Sequence, residues 1–161
     1  MAGKRRRGRL TRRGWVVIGL LAAVMAGAAF LLTRGDGVIR PDDPCTDPPP
    51  LVTRRGVTLQ PIAMVAFREA ERLAGQRIEV IQSYRSCAEQ ASACDGLCGN
   101  PEGCPGLCAP PGLSYHQIGA AVDVSQAALD TSGIKPAFEE AGWCQSVPDN
   151  DPGHFSFGGC H

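Results

Sequence analysis

The pattern of hydrophobic and polar positions divides the chain into unlike parts. Trp15 to Leu32, WVVIGLLAAVMAGAAFLL, is a run of eighteen residues without a charge. As a helix it would reach about 27 Å at about 1.5 Å per residue, close to the hydrocarbon thickness of a bilayer. After it the pattern breaks into short amphipathic pieces. Pro61 to Ala74 is expected as a helix: proline suits the first turn, Gly75 suits the stop, and Ile62, Val65, Ala66, Glu69 and Leu73 form a mostly apolar stripe. Residues 77–82 alternate, with β-branched side chains at Ile78, Val80 and Ile81, and predict a strand. Ser86 is placed to cap a short helix through Ala91, with Glu89 completing a capping box. Ala120 to Ser125 reads as a strand, Lys135 to Ala141 as a short helix stopped by Gly142, and Phe155-Ser156-Phe157 as a final strand. The expected fold class is α+β: a small, mainly antiparallel sheet flanked by helices.

Charge follows the same division. The formal net charge is zero, from 16 basic and 16 acidic side chains. Residues 1–13 hold seven of the basic ones and no acid. Such a basic tip beside an apolar run favours a cytoplasmic N-terminus. A nucleic-acid binder would keep its positive charge on the folded domain, so no nucleic-acid partner is expected. Ala26-Gly27-Ala28 resembles a signal-peptidase site, but Phe30-Leu31-Leu32 continues the apolar run past it. The expected organisation is a basic cytoplasmic tip at 1–13, a retained transmembrane signal-anchor at 14–33, a Pro/Asp-rich stalk at 34–50 and an extracytoplasmic domain at 51–161, in a single-pass cell-membrane protein.

All eight cysteines, Cys45, Cys87, Cys94, Cys98, Cys104, Cys108, Cys144 and Cys160, follow the apolar run. An even number in an exported domain implies disulfides, each contributing about 2–4 kcal/mol in so small a domain. Cys144 and Cys160 are close enough in sequence for a local staple. Residues 92–112 form a Gly/Pro/Cys-rich insert with a weak duplication, CDGLC and CPGLC. A zinc knuckle is the alternative reading there. The wide Cys-x-x-x-Cys spacing, the lack of histidine and the oxidising compartment favour disulfides instead.

Two of the three histidines lie in segments that also carry an acid: Ser114 to Asp123 contains His116, and Asp151-Pro152-Gly153-His154-Phe155 contains His154. A catalytic zinc takes about three N/O ligands and keeps one position open for water. Two histidines and a carboxylate leave the metal with net positive charge, which lowers the pKa of that water. A further carboxylate must then take the proton and pass it to the leaving amine. His116 at the end of a loop and Asp123 on a strand after a turn at Gly119 can point to one centre, with His154 on a facing strand.

Ser114 to Asp123 fits S-x-H-x-x-G-x-A-x-D at every fixed position. In this it resembles the zinc motif of the VanY-like D-alanyl-D-alanine carboxypeptidases and endopeptidases, within the lysostaphin-type, D-Ala-D-Ala and hedgehog-like zinc fold. Asp151-x-x-His154-Phe155 resembles that family's acid-x-x-His-Phe segment. Ser83-Tyr84-Arg85-Ser86, with Gln90, resembles its upstream arginine segment. The resemblance implies that His116, Asp123 and His154 bind one zinc ion, Zn2+. It implies that Asp151 is general base and then acid, and that Arg85 stabilises the oxyanion. Ser114 would contact substrate or support the metal shell, and Tyr84 and Gln90 would line the pocket.

The implied substrate is a peptidoglycan stem peptide cut beside a D-alanine. Carboxypeptidase action is preferred, with endopeptidase action as one alternative and a non-catalytic zinc-bearing binding module as another. Asp151 and Arg85 argue against the module, because a purely structural site needs neither. Three departures stand out. Gly153 replaces a bulky aromatic, which suggests a wider cleft or a looser wall. The acid is Asp rather than the commoner Glu. The insert at 92–112 is not a general feature of the family, and it is placed to form one rim of the cleft. Carboxypeptidase action also calls for a cation to meet the substrate's free carboxylate, and the unassigned cations are Arg54, Arg55, Arg68, Arg72, Arg77 and Lys135.

Overall fold

The computed structural model describes residues 37–147 and 149–159. The expected cytoplasmic tip and transmembrane anchor lie outside these residues. Among the described residues no helix is long and apolar enough to cross a membrane.

Strands β1 (Val52–Arg54) and β2 (Val57–Leu59) form an antiparallel hairpin. Helix α1 (Pro61–Ala74) follows and ends at Gly75, whose left-handed backbone (φ 67°) lets its N–H reach the carbonyls of Arg72 and Glu71. Then come β3 (Val80–Gln82), α2 (Cys87–Cys98), β4 (Ala121–Val124), α3 (Gln126–Leu129), α4 (Ile134–Glu140), β5 (Trp143–Cys144) and β6 (His154–Phe157). The larger sheet has the order β3-β4-β6-β5, and each adjacent pair is antiparallel. The expected α+β class with an antiparallel sheet is the architecture found.

Helices α1 and α4 pack together over this sheet around an aromatic cluster. Phe138 stacks on Phe155 with centroids 4.3 Å apart, and Trp143 meets Phe138 edge-on at 5.7 Å. Burying each such side chain contributes on the order of 1.5–3 kcal/mol. The buried face of α1 is Ala63, Met64, Ala66, Phe67 and Ala70, whereas Ile62 and Val65 are exposed. The stripe expected from Ile62 and Val65 is thus rotated. Residues 62–67 are all apolar, so two frames compete, and the frame that buries Phe67 wins.

The insert is more ordered than its composition implies. Helix α2 does not stop at Ala91 but continues to Cys98. The capping box at its start is present as expected: Ser86 Oγ accepts from Glu89 N–H, and the Glu89 carboxylate accepts from Ser86 N–H. Cys94 and Cys98 lie one turn apart on α2. They bond the returning chain in nested fashion, Cys94 to Cys108 and Cys98 to Cys104. These are disulfides and not a zinc knuckle. Cys144 is also disulfide-bonded, and its expected partner Cys160 lies outside the described residues.

The N-terminal boundary of the domain lies earlier than expected. Within the segment read as a stalk, Val38 is buried against Ile118 and Ala120, and Cys45 is bonded to Cys87. The buried amide of Gln60 accepts from Ile39 N–H at 2.8 Å and donates to the Ile39 carbonyl at 2.7 Å. The same amide donates to the Ile118 carbonyl at 2.6 Å, tying this segment to the loop before β4. A Pro- and Asp-rich composition hides this, because backbone and disulfide partners, with the single apolar anchor Val38, hold the segment down.

Candidate metal centre and active-site cleft

The sheet register builds the site. Gln82 on β3 pairs with Asp123 on β4, and Asp123 pairs with His154 on β6. Directly paired residues in adjacent strands point to the same face, so these three side chains form one row. His116 joins them from the loop before β4. That loop is wound tightly: Gln117 N–H bonds the Ser114 carbonyl, Gly119 N–H the His116 carbonyl, and Ala120 N–H the Tyr115 carbonyl. Gly119 is required there. Its φ is +65°, and a Cβ would lie 2.9 Å from the Gln60 nitrogen.

Three ligand atoms converge. His116 Nε2 is 3.1 Å from Asp123 Oδ1 and 3.2 Å from His154 Nδ1, and the last two are 2.9 Å apart. The far nitrogen of His116 fixes its tautomer, and that of His154 follows from the direction of a serine pair. His116 Nδ1 lies 2.5 Å from the Ser83 carbonyl, which can only accept, so Nδ1 carries the hydrogen and Nε2 presents a lone pair. His154 Nε2 lies 3.1 Å from Ser156 Oγ, which is 2.9 Å from Ser146 Oγ. With Ser156 donating to Ser146, His154 Nε2–H donates to Ser156 and its Nδ1 is likewise free. Three lone-pair donors then face one another, an arrangement that calls for a cation. Tetrahedral zinc with bonds of about 2.0–2.1 Å would set its ligand atoms roughly 3.3–3.4 Å apart. The observed edges are close to that, and the donor set fits zinc.

Burial raises the pKa of the Asp123 carboxyl, but its contacts with the His116 and His154 rings outweigh this and hold the group well below the usual carboxylate range. It is therefore ionised at neutral pH, as a ligand must be.

Arg85 sits beside the triad, with only 12% of its side chain exposed. Nη2 donates to Gln82 Oε1 at 2.5 Å and lies 3.6 Å from Asp123 Oδ2, and Nη1 donates to Gln90 Oε1 at 2.8 Å. Its Nε is buried without a partner among the described residues. The cleft around the triad, about 900 Å3, is lined by Arg85, Gln90, Ser114, His116, Asp123, Asp151 and His154. Asp151 is exposed, and its carboxylate accepts no hydrogen bond among the described residues. Its backbone is fixed by N–H to the Val147 carbonyl and by its own carbonyl to His154 N–H, which anchors it to the start of β6.

The other expected residues divide. Ser114 lines the cleft, and its Oγ accepts from His116 N–H at 3.3 Å, so it supports the metal loop. Gln90 is 2% exposed and spends both ends of its amide, on Arg85 and on the Ala109 carbonyl at 2.8 Å. It acts through Arg85 and not on substrate. Tyr84 is not part of the lining, and Tyr115 is. Successive side chains of an extended segment point to opposite sides, and Arg85 takes the side that faces the metal site.

Gly153 does not open the cleft wall. A Cβ there would lie 2.7 Å from the Val124 carbonyl oxygen, and Val124 N–H donates to the Gly153 carbonyl at 3.0 Å. Glycine lets β6 begin hard against β4. Gly153→Ala is expected to lower the unfolding free energy by about 1–3 kcal/mol, measured by denaturant titration. The insert does form a rim. Its Leu97 and Leu107, joined by Leu113 just beyond it, line the cleft while 60%, 60% and 73% exposed, giving the site an apolar wall stapled by the two nested disulfides.

Residues 59–157 match the family described as VanY, D-alanyl-D-alanine carboxypeptidase. The chain belongs to this family. Membership supports a zinc metallopeptidase, and the D-alanyl-D-alanine carboxypeptidase reading over the endopeptidase and binding-module alternatives. Two solved structures are similar in fold. One is VanYB in complex with D-alanine-D-alanine, at 20% identity and TM-score 0.54, covering 67% of this chain and 76% of that one. The other is a mutant of the VanB-type vancomycin-resistance D,D-pentapeptidase VanY in complex with Zn(II), at 21% identity and TM-score 0.50, covering 68% and 79%. No curated protein matches the chain.

Buried Gln90 yields a prediction that separates positioning from contact. Gln90→Leu leaves an Arg85 donor unpaired and is expected to lower kcat about tenfold, with KM and zinc content unchanged. A rise in KM alone would instead mean that Gln90 touches substrate.

Proposed function

We propose that this cleft removes the terminal D-alanine from peptidoglycan stem peptides. The observation that carries the reading is the convergence of three lone-pair donors beside a buried arginine and a free carboxylate in one cleft. His116, Asp123 and His154 would hold the zinc, which when bound would supply an acidified water and a Lewis acid for the scissile carbonyl. Asp151 takes the proton from the attacking water and returns it to the leaving amine. Arg85, held by Gln82 and Gln90 beside the triad, sets its positive charge toward the charge that develops on the carbonyl oxygen. The apolar rim contributed by Leu97, Leu107 and Leu113 excludes water on one side and packs against aliphatic parts of the stem.

Action outside the membrane, on a single-pass anchor, belongs to the same proposal. Its support is the charge-free run at 15–32, the basic tip before it and the disulfides after it. A stem pentapeptide ending in D-Ala-D-Ala, compared with its C-terminal amide, tests the carboxypeptidase assignment. Hydrolysis of the free acid and weak hydrolysis of the amide is expected. Equal rates on both would favour endopeptidase action.

A further inference from the structure

The domain has a second large cleft, about 970 Å3, which shares no lining residue with the first. It lies between the β1–β2 hairpin, α1 and the segment entering β3. Its floor is apolar, from Val57, Met64, Phe67 and Ile78. Its walls carry Arg54, Arg55, Arg68, Arg72 and Arg77. After residue 13 the chain has only nine basic side chains against 16 acidic ones, and five of the nine line this one cleft. None of the five lines the catalytic cleft.

The arginines are poorly neutralised. Arg72 is held by Glu69, with Nε to Oε2 at 2.8 Å. Arg54, Arg55, Arg68 and Arg77 are exposed and make no ion pair among the described residues. The lining also holds two acids, Glu71, whose Oε1 accepts from Ile78 N–H at 3.4 Å, and Glu79, whose Oε2 accepts from the Ser125 hydroxyl at 2.8 Å, so five guanidiniums stand against two carboxylates. Backbone conformation points the same way. Arg55 has φ 52° and is the non-glycine residue with positive φ among the described residues. A hairpin turn of this kind favours Asn, Asp or Gly at that position, and arginine there costs roughly 1–2 kcal/mol. Strain of this kind, kept at a charged side chain on a cleft edge, is a mark of use.

We propose that this cleft binds a phosphate-bearing polymer chain, independently of the catalytic cleft. Guanidinium groups match phosphate oxygens in bidentate fashion. Four unpaired guanidiniums distributed over a hairpin, a helix and the segment after it suit repeated charges better than a single ion. The concave shape admits a strand and not the plane of a bilayer.

The test uses the full chain and fluorescently labelled linear polyphosphate as probe, followed by anisotropy. Three forms are compared: the parent, the triple variant Arg55→Gly/Arg68→Ala/Arg77→Ala, and Lys135→Ala as a cation removed elsewhere. Circular dichroism confirms that each is folded, and Arg55→Gly relieves backbone strain. The triple variant is expected to bind about tenfold more weakly or worse, with stem-peptide hydrolysis unchanged, whereas Lys135→Ala binds as the parent does. Parent binding should fall steeply with added salt. Equal affinity in parent and triple variant, or equal weakening by Lys135→Ala, overturns the proposal. Vesicles of anionic phospholipid form a second arm, read as the parent-to-variant ratio so that the shared N-terminal segment cancels. A larger ratio on vesicles than on polyphosphate would overturn the polymer in favour of a membrane surface.

Discussion

Asp123→Ala is expected to abolish zinc binding and hydrolysis together. The carboxylate contacts both histidine ligand atoms, at 3.1 and 2.9 Å, and its other oxygen faces Arg85 at 3.6 Å. It is the sole anion of the donor set. Without it a metal would meet two neutral imidazoles and a guanidinium. The loss of affinity should exceed the roughly 10–100-fold that follows removal of a supporting partner around a metal ligand. Metal content by emission spectrometry and stem-peptide hydrolysis, measured on one folded preparation, check the prediction. Zinc retained at one per chain would remove Asp123 from the ligand set.

Asp151→Asn is expected to separate the two properties. The amide keeps the shape of the side chain and the backbone bonds to Val147 and His154, but it loses the basic oxygen. Zinc should remain at the parental level while kcat falls by about 10^2- to 10^4-fold, the range that positioned general acid–base catalysis supplies. Hydrolysis at the parental rate would show that another group moves the proton.

The ligand triad was legible because two motifs carried it and because strand alternation places Asp123 and His154 on one face of the sheet. Ser156 could have been added by the same rule: it lies two residues beyond His154 on β6, on the same face, where it meets the His154 ring. The Ser83 carbonyl that fixes the His116 tautomer could not, since a backbone oxygen leaves no mark on the sequence. The roles of Gln82 and Gln90 depended on the path of the Arg85 side chain, which long-range packing decides. Tyr84 and the buried face of α1 were misplaced for a related reason. Both lie where neighbouring residues offer similar chemistry in alternative frames, and tertiary contacts select one. The extension of α2 through Cys98 was obscured by Gly96, which costs about 0.5–1 kcal/mol in a helix interior relative to alanine. The two nested disulfides offset this.

In the proposed function the triad, with Asp151 and Arg85, hydrolyses the terminal D-Ala-D-Ala bond of a peptidoglycan stem. Mass spectrometry of purified stem pentapeptide, after incubation with the zinc-loaded full chain, tests it most directly. Conversion to tetrapeptide with release of one alanine is expected, stopped by a chelator and restored by zinc. Pentapeptide left intact by protein that holds one zinc per chain would contradict it.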